Sequence, residues 1–190
     1  MTMTRQKQTR RAVLRAAMAS AGLIGAPGIL RAAGDVQRRN ISAFRTHDWH
    51  DHFDNLGKGI IIADTASKML QHWTAEGEMR IYPTSVPLTD ELTKRGYTEV
   101  VEKRKNPGWA PTPSMRERNP EWPAYVEGGD PTNPLGTRAL YLSWTYYRIH
   151  GTQDTRKIGR KSSNGCIGLY NRQIEEVYDR APLGTQVKLI

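Results

Sequence analysis

The amino-acid sequence predicts a mainly β domain that carries one amphipathic helix and one long proline-rich loop. Short runs of apolar residues, each bounded by turn residues, recur from residue 59 onwards and indicate strands. Seven prolines fall between Asn106 and Pro134, and this excludes a central strand there because proline lacks a backbone donor. Near the C-terminus, after the single cysteine, apolar residues recur at helical spacing instead.

The first half of the domain predicts strands that follow one another at short intervals. A continuous apolar run indicates a buried strand, and a turn from Thr65 to Ser67 leads into its hairpin partner. This spacing is typical of a sandwich or a barrel-like sheet. The predicted strands are Gly59–Asp64, Lys68–Trp73, Met79–Tyr82 and Tyr97–Lys103.

The proline-rich segment, Asn106–Pro134, leaves two interpretations open. Long ordered loops in compact domains are often lids or binding loops. Alternatively, the loop serves only to pack Trp109 and Trp122 against the sheet. Within it, Ser114–Arg118 predicts one short helical turn.

After this loop the sequence predicts two more strands, a helix and a closing strand. Asn171 is the predicted N-cap of the helix, because its side chain suits that position. Pro182 and Gly184 end the helix. The strands are Thr137–Leu142, Tyr146–Ile149 and Gln186–Ile190, and the helix buries Ile174, Val177 and Tyr178.

The chain divides into a signal-like segment at residues 1–34, an irregular lead-in at residues 35–56 and one domain at residues 57–190. Thr9, Arg10 and Arg11 precede an apolar stretch rich in small residues, and this pattern resembles a twin-arginine export signal. A membrane anchor is the alternative, but the apolar run of about fifteen residues is shorter than the roughly 20 that span a bilayer. We therefore expect a location in the periplasm or cell envelope, with no stable membrane span once the signal is removed.

The net charge of +9 does not indicate a nucleic-acid-binding protein. Six basic residues and no acidic residue lie in the first 34 positions, so the remainder of the chain carries only +3. Three histidines, His47, His50 and His52, stand among aspartates in the lead-in and suggest a metal site. No second group of ligands accompanies them in the sequence, so we interpret this stretch as a solvated polar loop without a metal.

Cys166 and His150 are the candidate catalytic pair. Cys166 is the only cysteine in the sequence, and in an exported protein a cysteine without a partner is either buried and inert or reactive. A thiol becomes a good nucleophile when it ionises, and a neighbouring imidazole can take its proton. Gly165 allows a tight bend before Cys166, so the amides of both residues can point at an oxyanion. Gly151 has no side chain, so a backbone carbonyl there is the expected partner that orients His150.

These residues resemble the catalytic signature of the L,D-transpeptidases of bacterial cell walls, and the resemblance covers about 130 residues. The matching segments are Ile60–Trp73, Trp109–Pro113, Asn133–Gly136, Ala139–Leu142, His150–Thr152, Ile158–Gly159, Ser163–Ile167 and Leu183–Val187. The sequence departs from the signature in two places. Asn164 stands where the family often has histidine, and Gly168 stands where it usually has an arginine that shapes the site or binds a substrate carboxylate.

The resemblance implies an L,D-transpeptidase-type β-sandwich and a covalent reaction on peptidoglycan stem peptides. Cys166 would attack the carbonyl between an L-centre and D-Ala, with His150 as base and then acid, and an amine of a second stem would resolve the thioester. Carbapenems are the implied inhibitors, and no metal or organic cofactor is needed. We also predict substrate contacts for the following residues of the matching segments: Ser163, Asn164, Trp109 and Tyr141.

The sequence is compatible with other functions as well. Water as the acceptor would make the chain an L,D-carboxypeptidase, and a protein amine would make it an anchoring enzyme. A peptidoglycan-binding protein that keeps the fold without catalysis is the alternative from another class. Four cations could replace the arginine that Gly168 lacks, although each also suits a solvated charge: Arg148, Arg156, Arg160 and Lys161.

Overall fold

The computed structural model describes residues 45–190, which form a mainly β domain with one main helix and a long proline-rich loop. The elements, in chain order, are β1 (Ile60–Asp64), β2 (Met69–Trp73), β3 (Met79–Pro83), β4 (Val86–Pro87), β5 (Gly96–Lys105), α1 (Pro113–Arg118), β6 (Arg138–Leu142), β7 (Arg148–Thr152), β8 (Lys161–Ser163), β9 (Ile167–Tyr170), α2 (Asn171–Arg180) and β10 (Gln186–Leu189). Single 3-10 turns lie at Trp49–Asp51 and Thr155–Lys157. The predicted fold class is confirmed.

Eight of the strands form one sheet in the order β3-β2-β1-β10-β5-β6-β7-β9, and β4 pairs with β8 beside it. The C-terminal strand β10 enters the middle of the sheet, parallel to β1 and antiparallel to β5. The strands β7 and β9 are also parallel, and His150 on β7 stands opposite Gly168 on β9. The last pairing brings the candidate histidine to the segment that follows the cysteine.

The sheet curls around a single main core. Side chains from both ends of the strand order, such as Tyr82 on β3 and Ile167 on β9, belong to the same buried cluster. Ser85, which follows β3, exchanges two backbone hydrogen bonds with Gly168 on β9, of 2.8 and 3.1 Å. The two edges of the sheet therefore meet near the candidate site, as in a barrel.

The lead-in packs on the outer face of the sheet. Trp49, Phe53 and Leu56 cover a second cluster that includes Ile60 and Ile62. His47 is not solvated, because its side chain is about one-tenth exposed and its Nε2 lies 3.1 Å from Asp64. The predicted signal segment, residues 1–34, lies outside the described residues.

The helix α2 is present, but it begins one residue earlier than predicted, and the prediction of Asn171 as its N-cap is wrong. Tyr170 is the N-cap and makes no side-chain capping bond, and Asn171 is the first helical residue. The Asn171 side chain instead accepts a hydrogen bond from the Thr137 amide at 3.1 Å, and thus joins the helix to the start of β6. The buried residues of α2, Ile174 and Val177, lie in the main core as predicted.

The start of β7 also differs from the prediction. The strand begins at Arg148 rather than Tyr146, because Tyr146 has a left-handed backbone conformation with φ +67°. His150 therefore lies in the middle of its strand and not at its end. Short strands at Val86–Pro87, Lys161–Ser163 and Ile167–Tyr170 were not predicted.

The proline-rich segment has a small core of its own. Trp109 and Val126 form an isolated β-bridge, and Trp122 and Met115 pack around them. Fully buried Asn133 holds the segment in place, since its side-chain amide donates to the carbonyls of Pro107 at 2.8 Å and Glu127 at 2.9 Å. The predicted helical turn is present as α1.

Candidate active site

One groove contains both residues of the predicted catalytic pair. Its walls come from the proline-rich segment, from β7 and from the loop that carries the cysteine. Cys166 is partly exposed and His150 is 9% exposed, so both reach the groove from a largely buried position. The lining residues are Ser85, Trp109, Ala110, Thr112, Met115, Trp122, Pro134, Leu135, Tyr146, Tyr147, Arg148, His150, Thr152, Lys157, Ser162, Ser163, Asn164 and Cys166.

The His150 ring is held by the backbone of the next residue. Its Nδ1 lies 2.5 Å from the carbonyl oxygen of Gly151, so Nδ1 carries the proton and Nε2 is the basic nitrogen of the neutral ring. Burial lowers the pKa of His150 to about 4, against a smaller opposing effect of the Gly151 carbonyl. His150 is therefore neutral at pH 7 and can accept a proton, as the prediction requires.

Gly151 is needed for the packing around this carbonyl. A Cβ at this position would overlap the Asn171 side chain and would stand 3.0 Å from Ile174. The strand β7 can thus lie directly against α2 only where it has no side chain. This contact fixes the carbonyl that orients the His150 ring.

The Cys166 thiol donates to the carbonyl oxygen of Tyr146, with sulfur and oxygen 3.4 Å apart. Burial raises the pKa of the thiol, and the nearby Arg148 acts in the opposite direction through its charge and hydrogen bonding. The resting structure therefore favours a protonated thiol that points at a backbone carbonyl. Ionisation requires a base or a fixed positive charge close to the sulfur.

A short hydrogen-bonded turn presents Cys166. Ser163 donates its hydroxyl hydrogen to the Cys166 carbonyl at 2.5 Å, and the Gly165 amide points at the same hydroxyl at 3.4 Å. Gly165 has φ +130°, a conformation that side chains strongly disfavour. The structure thus places Ser163 in a bracing position around the cysteine. The long hydrogen bond from the Gly165 amide to Ser163 must break before this amide can donate to an oxyanion.

A side-chain hydrogen bond joins the proline-rich segment to the cysteine loop. The guanidinium of Arg118, the last residue of α1, donates to the Asn164 side chain at 2.9 Å. Trp109 and Trp122 lie against each other in this segment with ring centroids 5.0 Å apart, and both line the groove. The segment therefore packs its tryptophans and forms a wall of the groove at the same time.

Tyr141 is the one predicted substrate residue that lies outside the groove lining. Its ring stands between two guanidinium groups, those of Arg148 at 4.8 Å and Arg104 at 5.0 Å. Three other predicted residues, Ser163, Asn164 and Trp109, do line the groove. Of the four cations considered as replacements for the missing arginine, Arg148 alone is a lining residue.

Ser85 is a residue of the site that was not predicted from the sequence. It is 4% exposed and lines the groove near His150. A Cβ at Gly168 would overlap the Ser85 hydroxyl, and it would lie 3.8 Å from the His150 ring. Ser85 thus occupies the space where a side chain at position 168 would begin. The departure from the family signature at Gly168 has a steric explanation in this chain.

Between residues 45 and 190, no group of three or more His, Cys, Asp or Glu side chains is arranged to hold a metal ion. In the same part of the chain, no helix is both long enough and apolar enough to cross a membrane.

A thiol and a neutral, backbone-oriented imidazole that share one groove in a curled β-sheet define a candidate cysteine–histidine active site. Comparison with known proteins gives the family. Residues 58–189 match YkuD, the L,D-transpeptidase catalytic domain, and the chain belongs to this family. The recognition from sequence is therefore confirmed.

The relatives named as L,D-transpeptidases differ in how much of their length they share with this chain. A Fuscovulum blasticum protein, ORF 5 of the ATP synthase subunits region, is 53% identical over 185 residues, which are 95% of this chain and 97% of the relative. ErfK/SrfK of Escherichia coli is 32% identical over 142 residues, which are 72% of this chain and 45% of the relative. The chain thus spans about half the length of the E. coli relative.

The fold agrees with solved structures of the same family. L,D-transpeptidase 3 of Mycobacterium tuberculosis, solved with a faropenem-derived adduct, superimposes with a TM-score of 0.54 at 15% identity. The match covers 70% of this chain and 60% of that structure. At this identity the similarity establishes the shared fold alone.

Proposed function

We propose that this chain is an L,D-transpeptidase that acts on peptidoglycan stem peptides through a thioester on Cys166. The observation that carries the proposal is the common groove: the only thiol of the chain and a neutral imidazole with a fixed tautomer both line it. Membership of the family supports the same reaction class.

In the first half-reaction, His150 Nε2 takes the thiol proton and the sulfur attacks the carbonyl between diaminopimelate and D-Ala. A carbon–sulfur bond forms, and backbone amides at Gly165 and Cys166 stabilise the negative oxygen. The bond to the D-Ala nitrogen then breaks. His150 gives the proton to that nitrogen, and D-Ala leaves with a thioester remaining on Cys166.

In the second half-reaction, the side-chain amine of another stem attacks the thioester carbonyl. His150 takes a proton from this amine, the carbon–sulfur bond breaks and the proton returns to the sulfur. The product is a cross-link between two stems. Trp109, Trp122, Ser163 and Asn164 would contact the stems, since they line the groove. A contact between Tyr141 and substrate stays a prediction.

Intact-mass measurement after incubation with a carbapenem tests the nucleophile. We expect one added carbapenem mass on the wild type and no adduct on Cys166→Ala, because the β-lactam carbonyl takes the place of the stem carbonyl. A solved relative carries a faropenem-derived adduct, which makes this probe appropriate. An adduct that persists on a folded Cys166→Ala variant, or a wild type that never reacts, would contradict the proposal and favour a non-catalytic binding protein.

The acyl acceptor needs a separate experiment. Purified tetrapeptide stems incubated with the enzyme give dimers if a stem amine is the acceptor, and tripeptides alone if water is the acceptor. We expect dimers. Tripeptides without dimers would instead indicate an L,D-carboxypeptidase, and muropeptides from a deletion strain would show whether a protein–stem linkage disappears.

The proposed location is the periplasm or cell envelope, where peptidoglycan is found. Support comes from the sequence of residues 1–34, in which two adjacent arginines precede a short apolar stretch. A twin-arginine signal exports folded proteins, and a domain without disulfides needs no oxidising compartment to fold.

A further inference from the structure

The thiol and one guanidinium group meet at a single backbone oxygen. The Tyr146 carbonyl accepts from the Cys166 thiol, and it also accepts from Arg148 Nη1, with both distances 3.4 Å. The left-handed backbone at Tyr146 directs this carbonyl to the place where the two side chains converge. A full positive charge is therefore held beside the sulfur, since the thiol and the guanidinium donate to the same oxygen.

Arg148 is fixed in this position by aromatic stacking. Its guanidinium lies 4.8 Å from the centre of the Tyr141 ring, and such contacts stabilise a cation without neutralising it. Its Nε is buried and has no hydrogen-bond acceptor among residues 45–190. Ion pairs of the described residues do not include Arg148. The charge is thus available to a negative group that forms in the groove.

The electrostatics of the pair show why such a charge is needed. Burial raises the pKa of the Cys166 thiol and lowers that of His150 to about 4, so proton transfer from sulfur to imidazole is unfavourable in the resting site. Arg148 lowers the pKa of both groups, and Lys157 also lowers that of His150. Arg148 therefore favours a negative sulfur and disfavours the imidazolium.

We propose that Arg148 is the residue that stabilises the Cys166 thiolate, with Tyr141 as the support that holds its guanidinium in place. When the thiol proton leaves, the sulfur loses its bond to the Tyr146 carbonyl, and the negative charge is attracted to the guanidinium instead. The inference rests on the proposed use of Cys166 as a nucleophile. Its test, however, measures thiol ionisation and requires no peptidoglycan substrate.

The experiment is the pH dependence of Cys166 alkylation by iodoacetamide, an uncharged reagent that reacts with the thiolate. We expect Arg148→Gln to move the midpoint of the profile upwards by about one pH unit, which means an alkylation rate about tenfold lower at pH 7. Arg148→Lys should lie between this variant and the wild type, because it keeps the charge but loses the planar stacking group.

The chain offers a matched control on the other cation of the same ring. Arg104 lies 5.0 Å from the centre of the Tyr141 ring, forms an ion pair with Glu102 and does not line the groove, so Arg104→Gln removes a cation from the same ring without removing one from the groove. We expect its alkylation profile to superimpose on that of the wild type. Arg148→Met, which keeps the apolar stem, provides a second neutral variant if Arg148→Gln fails to fold.

Two results would overturn the inference. One is an Arg148→Gln or Arg148→Met profile that coincides with that of the wild type. The other is an equal shift for Arg104→Gln, which would show a general effect of surface charge. Failure of the proposed function would look different, because the carbapenem adduct and the cross-linked product would be missing while the alkylation midpoint still depended on Arg148.

Discussion

The close contact between Ser85 and Gly168 predicts that a side chain at position 168 destabilises the protein. An alanine at position 168 would place its methyl group onto the Ser85 hydroxyl, since the ideal Cβ position overlaps that oxygen. The next neighbours are the Ser85 Cβ at 3.7 Å and the His150 Cε1 at 3.8 Å, and both are ordinary van der Waals distances. The steric conflict in Gly168→Ala therefore involves one oxygen atom.

The expected energies follow from this geometry. Overpacking a tightly filled site costs about 1–3 kcal/mol. Replacing glycine by alanine gains about 0.4–1 kcal/mol through the unfolded chain. Gly168→Ala should thus lower the free energy of unfolding by about 1–2 kcal/mol. In a Ser85→Ala background the oxygen is gone, and the same substitution should be neutral or slightly stabilising.

A double-mutant cycle by urea denaturation, followed by tryptophan fluorescence, measures this coupling. We expect a coupling energy of about 1.5–2 kcal/mol between the two positions, well above the few tenths found for independent sites. For a domain of this size, each kcal/mol corresponds to roughly 2–4 °C in melting temperature. Equal costs of Gly168→Ala in both backgrounds would refute the argument that Ser85 fills this space.

Four further predictions concern other parts of the chain. Burial lowers the pKa of His72 from 6.5 to about 4, so the imidazole takes up its proton in the unfolded chain first as the pH falls, and stability is lost between about pH 6.5 and 4. This loss reaches about 3 kcal/mol in the wild type and should be missing in His72→Leu, as measured by urea denaturation at a series of pH values. Asn133→Ala leaves two loop carbonyls without their donor, and should lower the free energy of unfolding by about 2–3 kcal/mol in the same assay. Arg118→Gln removes the contact to the cysteine loop, and should slow carbapenem acylation several-fold with melting temperature unchanged, since the pair is exposed. Changing Arg10 and Arg11 to lysine should retain the protein in the cytoplasm, as cell fractionation would show; unchanged export would contradict a twin-arginine signal.

The strands that were predicted from the sequence are those marked by an apolar run and a neighbouring turn. The hairpin of β1 and β2 was predicted because Ile60, Ile61 and Ile62 form an uninterrupted apolar run that ends at a turn. The strands β8 and β9 have three and four residues, and their partners lie far away in the sequence. A run this short has no detectable period, so only the folded chain reveals it.

The candidate site likewise contains residues that the sequence predicted and residues that only the structure reveals. Cys166 and His150 were predicted because their residue types and spacing carry chemical meaning. Ser85 carries no such signal, because a lone serine between short strands has no pattern, and its role depends on a contact with Gly168 across the closure of the sheet. The wrong prediction for Asn171 has a similar cause: its side chain accepts from the Thr137 amide instead of a helical amide, and that partner is 34 residues away.

The closure of the sheet and the geometry of the site depend on the same few atoms. Gly168 exchanges backbone hydrogen bonds with Ser85 and stands opposite His150 in the register of β7 and β9. A side chain at position 168 would displace the Ser85 hydroxyl group, which lies at this same closure of the sheet. Because the Ser85 hydroxyl group fills the space beside Gly168, the cation that we propose for the thiolate lies on another strand, as Arg148 on β7, which lines the groove and lowers the pKa of the Cys166 thiol.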